Sequence, residues 1–147
     1  MKPVIIVPTY ISSRKTSDHN EIIDVYDHTT ALSASGELPR LLISMDAFPE
    51  KIPVMILVSS SDRIADKAEQ KVCEIVARFP EIPALVIGHK EEELVHQRMQ
   101  ALGITDIEEK IGLKGYSAIK NLGLVLANVF GFDSIIFVDD DEVIEDP

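Results

Sequence analysis

Val4-Ile5-Ile6-Val7 is an unbroken β-branched run flanked by Pro3 and Pro8. Apolar residues at every position, with no period-two alternation, read as a strand buried on both faces. Val54-Met55-Ile56-Leu57-Val58, Ala84-Leu85-Val86-Ile87 and Ser134-Ile135-Ile136-Phe137-Val138 repeat that pattern. Between the runs the spacing becomes helical. Leu38, Leu41, Leu42 and Met45 form one such face, with Pro39 tolerated in a first turn. Ile64, Ala68, Val72, Ile75, Val76 and Phe79 form a second, ended by Pro80 and Pro83. Glu91-Glu92-Glu93 opens a third helix carrying Leu94, Val95 and Leu102, where acids suit the positive helix end and Gly103 is the stop. Ala118, Leu122, Val125, Leu126 and Val129 mark a fourth, closed by Gly131. Residues 9–30 are polar and read as a long loop, and residues 104–115 as a connector with a helical turn around Ile107 and Ile111.

Strands therefore alternate with helices. That order predicts an α/β, Rossmann-like fold: a mostly parallel four-stranded sheet with helices on both faces. The length of 147 residues fits a single domain, residues 1–147.

Charge narrows the function classes. The formal net charge is -11 and no basic patch is visible, which argues against nucleic acid as a partner. No apolar run is long enough for a transmembrane segment, and the run after Met1 is too short for a secretion signal. A single cysteine, Cys73, precludes an internal disulfide; its apolar neighbours suggest a small buried residue, and a cytoplasmic location is expected.

Ligands of such sheets bind beyond the carboxyl ends of the strands. Three polar clusters fall there: Pro8-Thr9-Tyr10, Ser59-Ser60-Ser61-Asp62 (a turn that also suits a helix cap), and Asp139-Asp140-Asp141-Glu142. On an extended segment Asp139 and Asp141 would face one way and Asp140 the other. Two carboxylates beside an open cleft suit Mg2+ or Mn2+, with phosphates completing the shell. The plainer reading is an acidic loop that ends a strand. His19 and His28 could likewise bind metal or stand exposed in a polar loop. Lys120 alone reads as a solvated helix lysine, and Asn121 as a helix hydrogen bond.

The ordered set carries a resemblance. Gly115-Tyr116-Ser117-Ala118-Ile119-Lys120-Asn121-Leu122-Gly123-Leu124, followed by Ile135-Ile136-Phe137-Val138-Asp139-Asp140-Asp141, is similar to family-2 glycosyltransferases, in which a helix bearing a basic residue and Asn precedes the strand delivering a DxD motif. Pro8-Thr9-Tyr10 and Ser59-Ser60-Ser61-Asp62 resemble the turns after that family's first and second strands. The resemblance implies the N-terminal, nucleotide-sugar-binding part of a GT-A nucleotide-diphospho-sugar transferase fold. By position it implies that Thr9 and Tyr10 lie beside the nucleotide base, and that Asp62 or a neighbouring serine approaches the base or ribose. Lys120 and Asn121 would place the nucleotide or support the DxD loop, Asp139 would meet the ribose or the metal, and Asp141 would be the principal metal ligand. The implied partner is a UDP- or GDP-type nucleotide diphosphate sugar, with Mn2+ or Mg2+ as cofactor. Two departures stand out: Ser59 occupies a position where the family often has an acid, and the first connection is longer than usual.

Asp141 lies six residues from Pro147, whereas a complete GT-A domain continues with the acceptor site and, in inverting enzymes, a general base. The expectation is thus donor binding by a truncated domain that is not catalytically complete alone. The alternative is a non-catalytic α/β interaction module whose acidic end is a solvated tail. A phosphotransferase of the haloacid-dehalogenase type fits less well, because its acidic pair usually follows the first strand. An uncovered strand edge near the C-terminal end predicts self-association, as a homo-oligomer.

Overall fold

The computed structural model describes residues 1–13 and 29–145. The elements follow in the order β1 (Pro3–Ser12), β2 (Thr30–Ala31), α1 (Leu38–Asp46), β3 (Val54–Ser60), a 3-10 turn (Asp62–Ile64), α2 (Ala65–Val76), β4 (Ala84–Ile87), α3 (His89–Ala101), a second 3-10 turn (Glu108–Lys110), α4 (Tyr116–Val129) and β5 (Ser134–Phe137). The chain is α/β, with a parallel sheet flanked by helices in a Rossmann-like arrangement.

The four main strands are those the apolar runs predict. Their order across the sheet is β4-β3-β1-β5. β2 adds a fifth strand, whose two residues pair with Ile11 and Ser12 at the far end of β1. β5 and β2 thus share one edge of β1: β5 takes Pro3 to Ile6, and β2 takes the last two residues. The polar stretch expected as loop from residue 9 begins later, because β1 continues to Ser12. His19 and His28 lie outside the described residues.

Each strand of the central pair sends alternate side chains into two cores. Ile5, Val7, Ile11, Val54, Ile56 and Val58 meet Leu38, Leu41, Leu42 and Met45 of α1 and Ala68, Val72 and Ile75 of α2. Val4, Ile6, Met55 and Leu57 meet Met99 of α3 and Ile119, Leu122 and Leu126 of α4. This double burial is why these strands read as continuous apolar runs.

α4 sits unusually close to the sheet at Gly123. A Cβ there would come within 3.1–3.2 Å of the side chains of Ile6 and Leu57.

Some apolar positions do not behave as their spacing predicts. Cys73 is exposed, contrary to the buried position expected. It lies about 100° around the helix from buried Val72, beyond the stripe that faces the sheet. Leu94, Leu102 and Val129 are 63%, 59% and 71% exposed. α3 packs mainly against the edge strand β4, and Met99 is the one buried residue on it. At its amino end the Glu91 carboxylate accepts the Gly88 backbone N–H at 2.9 Å, a cap beyond the favourable placement of acids there. The capping expected of Ser59-Ser60-Ser61-Asp62 does not occur, since Ser61 makes no side-chain cap bond. Among the described residues no helix is long and apolar enough to cross a membrane.

Candidate functional site

From β1 the chain moves outward through β3 to β4, then returns across the opposite face and enters the sheet on the other side of β1 as β5. The strand order therefore reverses between β1 and β5. In open parallel sheets that reversal opens a crevice at the carboxyl ends.

Thr9 and the acidic segment after β5 meet there. Thr9 is only 1% exposed, and its hydroxyl donates to Asp140 Oδ2 at 2.5 Å. Burial pushes the Asp140 carboxyl above the usual aspartate value, and the charges of Asp141 and Asp139 add to this; the Thr9 bond acts the other way. Asp139 and Asp141 are exposed.

The segment is not extended, as the strand-based expectation had it. β5 stops at Phe137, and the chain then turns. Glu142 N–H donates to Asp139 O at 3.1 Å, and the Glu142 carboxylate accepts the Asp139 N–H at the same distance. The turn still separates Asp140, which points inward, from its two neighbours. Nor is the segment beyond it a loose tail as far as Ile144. Ile144 packs against the core on the α1 side, and its N–H donates to Ser44 Oγ at 3.2 Å.

A second cluster stands at the carboxyl ends of β3 and β4. Lys114 Nζ lies 2.6 Å from Asp62 Oδ1, and its hydrogen bond and charge hold the Asp62 carboxyl below the usual range. Beneath them is a cavity of about 20 Å³, lined by Ser60, Glu69, Gly88, His89 and Glu92 among others. That is room for about one water molecule. Glu69 Oε2 and His89 Nδ1 are buried, 3.6 Å apart, and lack hydrogen-bond partners.

The residues singled out in the sequence divide accordingly. Thr9 and the Asp139-Asp140-Asp141 turn come together. Thr9 and Tyr10 point to opposite faces of the sheet: Thr9 shares the phase of Ile5 and Val7, while Tyr10 packs on the α3 and α4 side. Lys120 donates to the Tyr116 hydroxyl at 2.6 Å, and its ammonium lies 4.2 Å from the Tyr116 ring centre and 5.5 Å from that of Phe137. Asn121 donates to Lys110 O at 2.9 Å, so it supports the connector before α4. Lys114, Glu92, Glu69 and His89 are absent from the sequence-based set. The one local signal for Lys114 is its setting in Gly112-Leu113-Lys114-Gly115, where glycines mark a constrained backbone. Gly115 has φ 100°.

Among the described residues no group of three or more His, Cys, Asp or Glu side chains could hold a metal ion. The donor set fits a narrower mode. Mg2+ commonly takes one or two carboxylates and completes its shell with water and substrate phosphates. Asp139 and Asp141 suit that mode, and not an all-protein cage. No protein-family model, no curated protein and no solved structure matches the chain.

Proposed function

We propose that the chain binds a nucleotide diphosphate sugar of UDP or GDP type at the carboxyl edge of its sheet, as the donor-binding portion of a metal-dependent glycosyltransferase. Mn2+ or Mg2+ would be held between the ligand's phosphates and Asp139 and Asp141. In a transferase this ion neutralises charge developing on the diphosphate leaving group. The observation that carries the reading is the Thr9–Asp140 hydrogen bond, which ties the carboxyl half of β1 to the turn after β5 while Asp139 and Asp141 stay exposed. Asp62 and Lys114, at the adjacent strand end, offer an acceptor and a cation to the nucleoside or its phosphates.

Calorimetric titration with UDP and GDP, with and without Mn2+, tests this. Binding that requires both nucleotide and metal is the expected result, with metal alone binding weakly. Absence of metal-dependent binding to either nucleotide would refute the reading.

The alternative is a non-catalytic interaction module, in which the acidic turn, closed on itself by Glu142 and anchored through Ile144, would be a formed surface feature in place of the solvated tail expected. On that view substituting Asp139 and Asp141 leaves nucleotide affinity unchanged.

Self-association belongs to the same proposal. β5 pairs with β1 along one edge, and among the described residues no strand covers the other. Ile136 on that strand is 48% exposed, and Leu124 and Phe130 of the neighbouring helical segment are each 44% exposed. An uncovered apolar edge invites pairing with a second chain. Light scattering is expected to give a mass above that of one chain, and a monodisperse monomer would end the idea.

A further inference from the structure

Lys114 reaches Asp62 from a segment without regular structure, between the Glu108–Lys110 turn and α4. Side chains from the two flanking helices grip the backbone of that segment. Asn121 of α4 donates to Lys110 O at 2.9 Å. His96 of α3 donates through Nε2 to Ile111 O at 2.5 Å. Glu92 of α3 accepts the Leu113 N–H on Oε1 at 2.7 Å. Gly112, in the middle, leaves the space that the Glu92 carboxylate fills: a Cβ there would stand 2.6 Å from the same Glu92 oxygen and would push it aside. Leu113 is buried in the core, whereas Lys114 is left exposed beside Asp62, above the small cavity they line.

We infer that Glu92 is a positioning residue: by holding the Leu113 amide, one residue before Lys114, its carboxylate sets the Lys114 ammonium against Asp62 and over the cleft that receives the anionic ligand. His96 and Asn121 hold the carbonyls of Ile111 and Lys110, earlier in the same segment, and limit how far it can slide. A half-buried carboxylate accepting a backbone N–H forms one of the stronger hydrogen bonds available to it. The free Lys114–Asp62 pair, by contrast, is exposed and worth little by itself. Lys114 therefore depends on the backbone beneath it for its place. The functional arm of this inference rests on the nucleotide reading above; the placement arm does not.

Asp62 reports where Lys114 is. Its carboxyl titration, followed by NMR, is expected to lie below the usual aspartate range in the wild type and to return upward in Lys114→Met. Glu92→Ala is expected to move it upward towards the Lys114→Met value. Glu92→Gln keeps an amide oxygen for the Leu113 N–H and is expected to keep the low value. Loss of the Glu92 charge alone would push Asp62 downward in both variants, so the upward shift confined to Glu92→Ala is the signature. An unchanged or lower value in Glu92→Ala overturns the inference, as does an equal upward shift in Glu92→Gln. Should Glu92→Ala not fold, Gly112→Ala displaces the same carboxylate and is read the same way.

The second arm measures Mn2+-dependent binding of UDP or GDP. Glu92→Ala is expected to weaken it about tenfold in the wild-type background and not at all in Lys114→Met. Equal weakening in both backgrounds would show that Glu92 does not act through Lys114. If neither nucleotide binds the wild type, the functional reading fails, while the Asp62 titration still decides the placement.

Discussion

Replacing Asp139 and Asp141 together with alanine is expected to abolish the metal-dependent part of nucleotide binding, a loss of at least about 100-fold. Residues that merely orient metal ligands cost about 10–100-fold when changed, and the ligands themselves cost more. Both side chains are exposed, and no packing is lost with them. The thermal midpoint should therefore hold or rise, which separates lost binding from lost folding. Calorimetry with and without Mn2+, alongside a thermal scan, makes the measurement; an unchanged metal-dependent affinity would leave only the interaction-module reading. Asp140→Asn should behave differently. Asn keeps an oxygen for the Thr9 hydroxyl but removes a charge that burial and two neighbouring acids disfavour. In metal-free buffer the variant is expected to melt a few degrees higher than wild type near neutral pH. The sign follows from linkage. The native carboxyl is raised above its unfolded value, so the folded protein binds the extra proton and is favoured at acid pH. Wild-type stability falls as pH climbs from the ordinary aspartate value through the raised native one, then levels off. The advantage of Asp140→Asn should open across that window, and a gap independent of pH would rule the explanation out.

Gly123→Val is expected to cost about 3 kcal/mol, at the upper end of what overpacking a filled core does. The first carbon of any side chain would already press on Ile6 and Leu57 at 3.1–3.2 Å. Valine adds two methyl groups beyond it. Ile6 and Leu57 are both fully buried in the middle of the central strands, so neither can swing into solvent. α4 must then lift off the sheet. Gly123→Ala is the informative control. Alanine gains about 1 kcal/mol of helix propensity over glycine, which offsets part of the crowding. Urea unfolding should place alanine near wild type and valine well below it. Equal midpoints for all three would mean that α4 is not held by this contact.

The fold was legible because its cause is local. A strand buried on both faces must be apolar at every position, and Val4 to Val7 and Val54 to Val58 announce that without alignment to anything else. β2 was not legible. Its two residues, Thr30 and Ala31, are strand only because the end of β1 lies beside them. The same holds for surface helix positions: Leu94 and Leu102 have the spacing of a buried face, but how much of α3 is covered depends on β4 being the last strand. At the site, the acids after β5 could be placed from the apolar run that precedes them, whereas Thr9, expected in the turn after the first strand, lies within β1, which continues to Ser12. That Asp140 turns inward could not be read the same way, since the alternation that predicts it assumes a strand and the chain there is a turn. Lys114, Glu92 and His89 were missed for a further reason. Their partners lie well away in sequence or are backbone atoms, and no spacing rule reports either.

The contact between Thr9 and Asp140 joins residues 131 apart in the chain. β1 is the hub of the sheet, yet the strand that fills its second edge is made last among the elements. At about 5–20 residues per second of synthesis, β1 waits for roughly ten seconds before β5 exists. During that interval β3 and β4 can dock on one side, while Val4 to Ile6 present an unpaired edge to whatever else is nearby. Contacts of such long range also make folding slow in free solution, because the loop must close before the pairing rewards it. The arrangement that places the acids beside the crevice therefore makes the centre of this sheet its most exposed part while the chain is being born.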